Sequence, residues 1–248
     1  MDQHGGAADP ARFAAEIAPC LDRTRLAVVA FLRTKADEVA QQYGITAPAL
    51  QVLGMLRNTL PDRVVAVDDV LGLFLYSPSE EIRSALGLLV TSGVLESGRG
   101  HAVVVTDKGR EIVHVLFGLT LEFIDPLWAG HDELVTTLLP LADRACATVT
   151  TTGGAAVRVV APPYDPPNAS PALKLAERLT PLRFHRFDAH AEAWRNEGLT
   201  VEEVQALDPG PLLDKIEAET NRWAAAPYCA LEPAERLELL RGLEALPT

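Results

Sequence analysis

Cysteines, cationic side chains and long apolar runs are all scarce in this 248-residue chain. Its three cysteines, Cys20, Cys146 and Cys229, are far apart and odd in number. This excludes a disulfide framework and a Cys-x-x-Cys metal site, and it favours buried free thiols. No apolar run approaches the roughly 18 residues of a membrane span. The first residues also lack the basic start and apolar block of a secretory signal, so we expect a cytoplasmic protein with no membrane partner.

Positive charge is scarce relative to negative charge, and the imbalance is uneven along the chain. The sequence has 22 Lys and Arg residues against 34 Asp and Glu residues, a net charge of −12. Residues 1–118 hold 11 basic against 14 acidic side chains, whereas residues 119–248 hold 11 against 20. Since an acidic surface repels nucleic acid, any DNA contact depends on a local patch in the first half.

The sequence also lacks the motifs of the common catalytic and metal sites. The pair Gly153 and Gly154 has no phosphate-loop lysine behind it, and no nucleophile elbow or His-Glu-x-x-His motif occurs. His185 and His190 are five residues apart, which places their rings about 140° apart around a helix and argues against a shared metal ion. We therefore predict no enzymatic activity, no cofactor and no metal site.

The first 76 residues show apolar side chains at helical spacing. The stretch AARFAAEIAPCLDRTRLAVVAFLRTKADEVAQQYG predicts one or two helices, with a break near Pro19. ITAPALQVLGMLRNTL predicts a second helix capped by Thr46. VVAVDDVLGLFLYS predicts a helix that begins at Asp68 or Asp69. Its apolar residues would lie on nearly all sides of the helix, which indicates that the helix is buried.

The next segment, SPSEEIRSALGLLVTSGVLE, predicts an amphipathic helix followed by a strand. Ser77 is the predicted N-cap, Pro78 the first helical residue and Glu80 the acid of a capping box. A buried face is predicted for Ile82, Leu86, Leu89 and Val90. VLESGRGHAVVVT then predicts a β-hairpin around residues 97–100, and TDKGREIVHVLFGLTLEFIDPLW a helix that starts at Thr106 and runs to about Pro126.

These elements follow the order helix, helix, helix, β-hairpin, helix, which is the layout of a winged helix. The chain resembles the MarR-like branch of this fold over roughly residues 21–120. ITAPALQVLGMLRN is similar to the first core helix of that family, SPSEEIRSALGLLVTSGVLE to its recognition helix and first wing strand, and TDKGREIV to the entry into its following helix. The resemblance implies a transcriptional regulator that binds double-stranded DNA.

The resemblance also implies where the DNA and a second subunit bind. The donors expected to reach DNA are Ser77, Ser79, Arg83 and Ser84 in the recognition helix, with Arg99 and His101 in the wing. The helices at 11–43 and 110–126 are where such proteins usually form a homodimer. A dimer would double the small basic patch and match a palindromic site.

The second half predicts an all-helical domain. TTTGGAAVRVVAPPYDPPNASP interrupts it as a linker or flap with one β-like run, VRVVA. Later helices are predicted at PALKLAERL, PLRFHRFDAHAEAWRNEG, VEEVQAL, PLLDKIEAETNRWAAA and EPAERLELLRGLEAL. A pocket for a small apolar or aromatic effector is predicted from Trp128, Tyr164, Phe187, His190 and Trp194. The alternative is that these aromatic residues are simply core.

The expected fold class is mainly α with a small β-hairpin wing. Residues 1–126 are predicted to form a winged helix-turn-helix domain with its dimerisation helices, and residues 127–248 a helical effector-binding domain. Two other hypotheses stay open. Glu80 and Glu81 favour a winged-helix protein-interaction module that binds no DNA, and the histidines leave room for a helical-bundle enzyme or metalloprotein with a degenerate winged helix.

Overall fold

A computed structural model describes residues 8–59 and 63–248 as a mainly helical protein with a small antiparallel sheet. The first part contains α1 (Pro10–Tyr43), α2 (Ala47–Leu56), β1 (Val65–Ala66), α3 (Val67–Leu73), α4 (Ser79–Thr91), β2 (Leu95–Gly98), β3 (Ala102–Val105) and α5 (Asp107–Leu127). The second part contains α6 (Asp132–Thr152), α7 (Ala155–Val160), α8 (Pro171–Asn196), α9 (Val201–Gln205), α10 (Pro211–Ala224), a 3-10 helix (Ala226–Ala230) and α11 (Pro233–Ala245).

Helix α1 is continuous, so the predicted break near Pro19 is wrong. The Asp9 carboxylate accepts a hydrogen bond from the Ala11 N–H at 3.0 Å and starts the helix, and Gly44 ends it with φ 66°. Pro19 lies on the exposed side, where water can satisfy the carbonyl that loses its N–H partner. Burial of Ile17 and Leu21 on the other side holds the helix together across the proline.

A three-stranded antiparallel sheet has the strand order β1-β3-β2. Its hairpin is confirmed: Leu95 is opposite Val105 in the β2 and β3 pair. The turn between them contains His101 with φ 57°, a left-handed conformation that is uncommon for a residue with a side chain. Strand β1 was not predicted, because its two residues precede α3 directly and show no alternation.

Helix α4 follows α3 and packs its apolar face against α2 and β2. The predicted buried residues Ile82, Leu86 and Leu89 are buried, and Val90 is partly buried. The predicted start is wrong, because α4 begins at Ser79 after Pro78 and no side chain caps it.

Helix α5 begins as predicted after Thr106, whose hydroxyl accepts from the Gly109 N–H at 3.1 Å. A Cβ at Gly109 would collide with the Val94 carbonyl oxygen, so the motif needs glycine there.

Two predictions for the second half are wrong. The stretch VRVVA, except its last residue, lies in α7 rather than in a strand. The Asp188 carboxylate accepts hydrogen bonds from the N–H groups of Gly154, Ala156 and Val157 and so caps a helix there. The predicted helices on either side of residue 180 form one helix, α8, which contains a buried Pro181. In both places tertiary packing overrides a local preference.

The buried apolar side chains form one large cluster that extends from Phe13 to Leu246, with a small second cluster around Trp194 and Ile216. Helix α1 packs on α2 and α5 in the first part and on α8, α10 and α11 in the second. The predicted boundary between residues 126 and 127 stays a prediction, and the core is continuous across it. Within the described ranges, no helix is both long and apolar enough to span a membrane.

Candidate functional site

The six residues predicted to contact DNA are all exposed. Ser77 and the α4 residues Ser79, Arg83 and Ser84 face solvent, as do Arg99 and His101 in the turn after β2. Helix α4 buries its opposite side against α2 and β2, which leaves this side of the helix open to a partner. We call the exposed side of α4, residues 77–91, the α4 face.

Two of the cations near the α4 face are unpaired. Within the described part of the chain, Arg83 and Arg99 form no ion pair or hydrogen bond. Lys108 instead donates to the Ser92 carbonyl at 3.0 Å, and Arg110 pairs with Asp107 at 2.6 Å. Residues 63–110 hold five basic and six acidic side chains. Among the described residues, Arg83, Arg99 and Lys108 have no carboxylate partner, so positive potential here comes from such cations.

A polar cluster in the second half connects to the segment that enters α4. The Trp194 Nε1–H donates to the Tyr76 hydroxyl at 3.1 Å, and that hydroxyl lies 3.0 Å from His190 Nδ1. Tyr76 also packs edge-on against Phe187, with ring centroids 5.3 Å apart. We call Tyr76, Phe187, His190 and Trp194 the Tyr76 cluster.

The hydrogen bonds of this cluster have a direction. The Trp194 indole N–H can only donate. The Tyr76 hydroxyl therefore accepts from Trp194 and donates its own proton to His190 Nδ1, so that each of these three groups has a partner. The imidazole proton is then on Nε2, which is 3.8 Å from the Glu217 carboxylate. Burial lowers the pKa of His190 and raises the pKa of Tyr76, so both stay neutral near pH 7 in this arrangement.

Three of the five residues predicted to bind an effector belong to the Tyr76 cluster, and two lie elsewhere. Trp128 is 2 % exposed and donates through Nε1 to the Pro247 carbonyl at 2.9 Å. Tyr164 contacts the Phe117 ring at a centroid distance of 5.6 Å. The five therefore do not line a common cavity in the described residues.

A hollow of about 240 Å³ lies beside the cluster, between α1, α8 and α10, and it is more polar than predicted. Phe187 and His190 contribute to its wall. The rest includes two ion pairs, Arg183 with Asp22 at 2.6 Å and Arg186 with Glu217 at 2.9 Å. Such a wall suits a ligand that carries polar groups as well as an aromatic ring.

The sequence interpretation missed Tyr76, because it lies at the end of the apolar run GLFLYS and reads as core. One signal was present: a tyrosine directly before the turn residues SPS has an apolar ring and a hydroxyl that needs a partner when buried. What could not be read from the sequence is that His190 and Trp194, more than a hundred residues away, supply that partner.

The residues His185 and Asp188 are used structurally. His185 Nε2 is 2.8 Å from the Thr152 hydroxyl, and burial lowers the pKa of His185 to about 4. Asp188 caps α7. In the part of the chain that the structure describes, no three His, Cys, Asp or Glu side chains are grouped to hold a metal ion. Cys20 and Cys146 are buried thiols, whereas Cys229 is exposed, contrary to prediction.

Comparison with protein-family models gave no matching family, and comparisons with curated proteins and with solved structures gave no match either.

Proposed function

We propose that this protein is a DNA-binding transcriptional regulator of MarR-like type, with a winged helix formed by α2, α3, α4 and the three strands. The order helix, strand, helix, helix, hairpin and the sheet order β1-β3-β2 support this layout. In it, α4 is the recognition helix and the turn between β2 and β3 is the wing. The observation that carries the proposal is that Arg83 and Arg99 are both exposed and, among residues 8–59 and 63–248, have no ion-pair or hydrogen-bond partner.

Affinity in this scheme comes from two subunits. The α4 face of a single copy presents few cations, with Arg83 and Arg99 close in sequence to Glu80, Glu81 and Glu96, and most non-specific affinity comes from phosphate neutralisation. A homodimer through α1 and α5 doubles the cations and presents two α4 faces to a palindromic site. Support for that interface comes from α1, where Leu26 is 59 % exposed.

The two acids in the first turn of α4, Glu80 and Glu81, are compatible with DNA binding in this proposal. The N-cap residue of α4, Pro78, forms no side-chain cap, and carboxylates near a helix N-terminus are stabilised by its unpaired N–H groups. Glutamate can also accept a hydrogen bond from the amino group of cytosine, so the pair selects sequence without adding affinity.

The Tyr76 cluster would serve as the sensor. Tyr76 lies three residues before the first residue of α4, and its hydroxyl is held by His190 and Trp194 of α8. A small aromatic effector that contacts Phe187 and His190 would change this hydrogen bonding and bias the orientation of α4. Ligand control requires that the effector bind the two orientations with different affinity.

The test is DNA binding by the full chain, with fragments recovered from genomic DNA as probes. We expect Arg83→Ala to weaken binding by about tenfold and to lower the salt dependence, because one contact per subunit is lost. Arg241→Ala is the matched control, since Arg241 is exposed on α11 and far along the chain from the α4 face. Unchanged affinity of Arg83→Ala at low salt would overturn the docking scheme.

A second function is favoured by the acids of the same region. Glu80, Glu81 and Glu96 are exposed beside the two free arginines and would repel phosphate. The α4 face would then be a protein-interaction surface for a basic partner. Failure to bind any DNA even at low salt would select this function, because a DNA contact is strongest when few counterions compete.

A further inference from the structure

A cavity of about 310 Å³ lies between α3, the junction of α6 and α7, α8 and α10. Four residues of one face of α8 line it together with Trp223 of α10: His185, Asp188, Glu192 and Arg195. Neither Phe187 nor His190 lines this cavity, so it is separate from the hollow beside the Tyr76 cluster. Its volume is at the lower end of the range for small-molecule sites.

The inner end of the cavity has a buried hydrogen-bond acceptor, the Nδ1 atom of His185. His185 is 3 % exposed, and its Nε2 atom lies 2.8 Å from the Thr152 hydroxyl. That hydroxyl donates its proton to the Thr148 carbonyl at 3.1 Å, so its oxygen accepts from His185 Nε2. The ring proton is then on Nε2 and a lone pair is on Nδ1. Among the residues that the structure describes, Nδ1 has no hydrogen-bond partner.

The unpaired acceptor restricts the chemistry of a ligand at this end. A buried polar atom without a partner costs free energy, and an N–H or O–H group of a ligand would remove that cost. Burial lowers the pKa of His185 to about 4, so the ring is neutral at pH 7 and Nδ1 remains an acceptor. A lone pair repels the oxygen atoms of a carboxylate or a phosphate. The inner end therefore suits a neutral hydrogen-bond donor.

The outer end of the cavity has one carboxylate and one guanidinium. Glu192 and Arg195 are both exposed, and within residues 8–59 and 63–248 neither forms an ion pair or a hydrogen bond. The Arg195 guanidinium lies over the Trp194 ring, 5.1 Å from its centroid, which leaves its N–H donors free. Asp188 is already used, because both its oxygens accept from N–H groups at the start of α7. The outer end therefore offers one negative and one positive charge.

The spacing along α8 sets the length of a matching ligand. Glu192 and Arg195 are three residues apart, which is about 4.5 Å along the helix axis, and His185 is about 10 Å from Glu192. A matching ligand has an ammonium and a carboxylate close together at one end and a neutral donor at the other. Between the two ends the wall includes Leu75, Ala189 and Trp223, which suit an aromatic ring.

We propose that this cavity binds a zwitterionic amino acid whose aromatic side chain ends in a hydrogen-bond donor, as in tyrosine. The phenol O–H donates to His185 Nδ1, the ammonium pairs with Glu192, and the carboxylate pairs with Arg195. The ring lies against Trp223. The site belongs to the second half of the chain and does not depend on DNA binding.

The experiment is calorimetric titration of the full chain with L-tyrosine, L-phenylalanine and O-methyl-L-tyrosine. The two analogues keep the zwitterion and the ring but have no phenol O–H. We expect tyrosine to bind and both analogues to bind at least about tenfold more weakly, because they leave Nδ1 without a partner. No binding of tyrosine, or equal binding of tyrosine and phenylalanine, would overturn the proposal.

Two variants test the charges at the outer end. Glu192→Gln and Arg195→Gln each remove one charge, and each should weaken tyrosine binding by about threefold to tenfold. Tyramine lacks the carboxylate, so its binding should fall in Glu192→Gln but not in Arg195→Gln. Hydroxyphenylpropionate lacks the ammonium and should show the reverse.

The matched control is a second pair of charges with the same spacing. Glu238 and Arg241 are exposed, three residues apart on α11, and do not line the cavity, so Glu238→Gln and Arg241→Gln should bind tyrosine as the wild type does. Because all four substitutions are on the surface, the melting temperature should stay close to that of the wild type. Full tyrosine affinity in both Glu192→Gln and Arg195→Gln would place the amino acid at another site and contradict the proposal.

Discussion

His185 and Asp188 lie one turn apart on α8 and join it to two different elements. His185 Nε2 is 2.8 Å from the hydroxyl of Thr152, the last residue of α6, and His185 is 3 % exposed. Asp188 accepts three hydrogen bonds from the first turn of α7 and the residue before it. Burial lowers the pKa of His185 to about 4 and raises the pKa of Asp188. Both side chains therefore hold α8 against its neighbours, His185 against α6 and Asp188 against α7.

The lowered pKa of His185 predicts that the protein loses stability in mild acid. The pKa falls from its ordinary 6.5 to about 4 on folding, so the unfolded chain takes up the proton first as the pH falls. The contribution of neutral His185 to the free energy of unfolding is complete above pH 6.5, and it is lost progressively as the pH falls to about 4. We expect a loss of ~1 kcal/mol at about pH 5.5 and at most ~3 kcal/mol below about pH 4.

Urea unfolding of the wild type and of His185→Gln measures this effect. Glutamine cannot gain a proton but can still donate to Thr152, so its unfolding free energy should fall less between about pH 7.5 and about pH 5.5. The difference between the two proteins isolates His185, because Asp188 is present in both and its raised pKa acts in the opposite direction. Parallel pH profiles would contradict the prediction.

Helix α4 depends on a contact outside the sheet and helices that surround it. Its N-cap residue is Pro78, and no side chain of the described residues accepts a hydrogen bond from its first turn. The exposed residues Ser77 and Pro78 precede it. The nearest strong anchor is Tyr76, which is held by Trp194 and His190. The position of the start of α4 is therefore tied to α8.

Removal of the Tyr76 hydroxyl should loosen the start of α4. In Tyr76→Phe the Trp194 N–H and the His190 Nδ1 atom lose their partner, and we expect a destabilisation of about 1–3 kcal/mol. Amide hydrogen exchange at residues 77–82 should accelerate more than exchange in the middle of α8, because α8 is held by many other contacts.

The matched control for this prediction is Tyr43→Phe. The Tyr43 hydroxyl donates to Glu111 at 2.9 Å on the surface, and its loss should change stability by less than about 0.5 kcal/mol. Equal effects of the two substitutions, or unchanged exchange at the start of α4, would show that Tyr76 does not anchor this helix.

The whole molecule is held together by α1, which crosses from the first set of elements to the second. Phe13 packs edge-on against Tyr228 with ring centroids 4.9 Å apart, and Asp22 pairs with Arg183. Further along the same helix, Val28 and Val39 join the cluster that contains α2 and α5. A core that is continuous across residue 126 favours unfolding in one step.

We therefore predict a single thermal transition for the full chain, with equal calorimetric and van't Hoff enthalpies. Leu53→Ala in α2 and Leu138→Ala in α6 are a matched pair, since both leucines are fully buried. Each substitution should lower the free energy of unfolding by about 2–5 kcal/mol and move the same single transition to a lower temperature. Two transitions, each lowered by only one of the substitutions, would instead show two independently folding domains.

The sequence by itself determined the local elements, because their signals are local. Apolar spacing and the N-cap residues Thr46 and Thr106 predicted α2 and α5, and the glycine-rich turn predicted the hairpin. Local signals failed where a distant side chain intervened, as when Asp188 capped the valine-rich α7.

Only the tertiary structure decided which distant side chains meet. The pairing of Tyr76 with His190, and the use of both Glu177 oxygens by Arg57 and Asn58, join residues more than a hundred positions apart. No periodicity in the sequence records such contacts. Hydrogen-bond saturation and charge balance are properties of the packed core, and for that reason they appear only when the chain has folded.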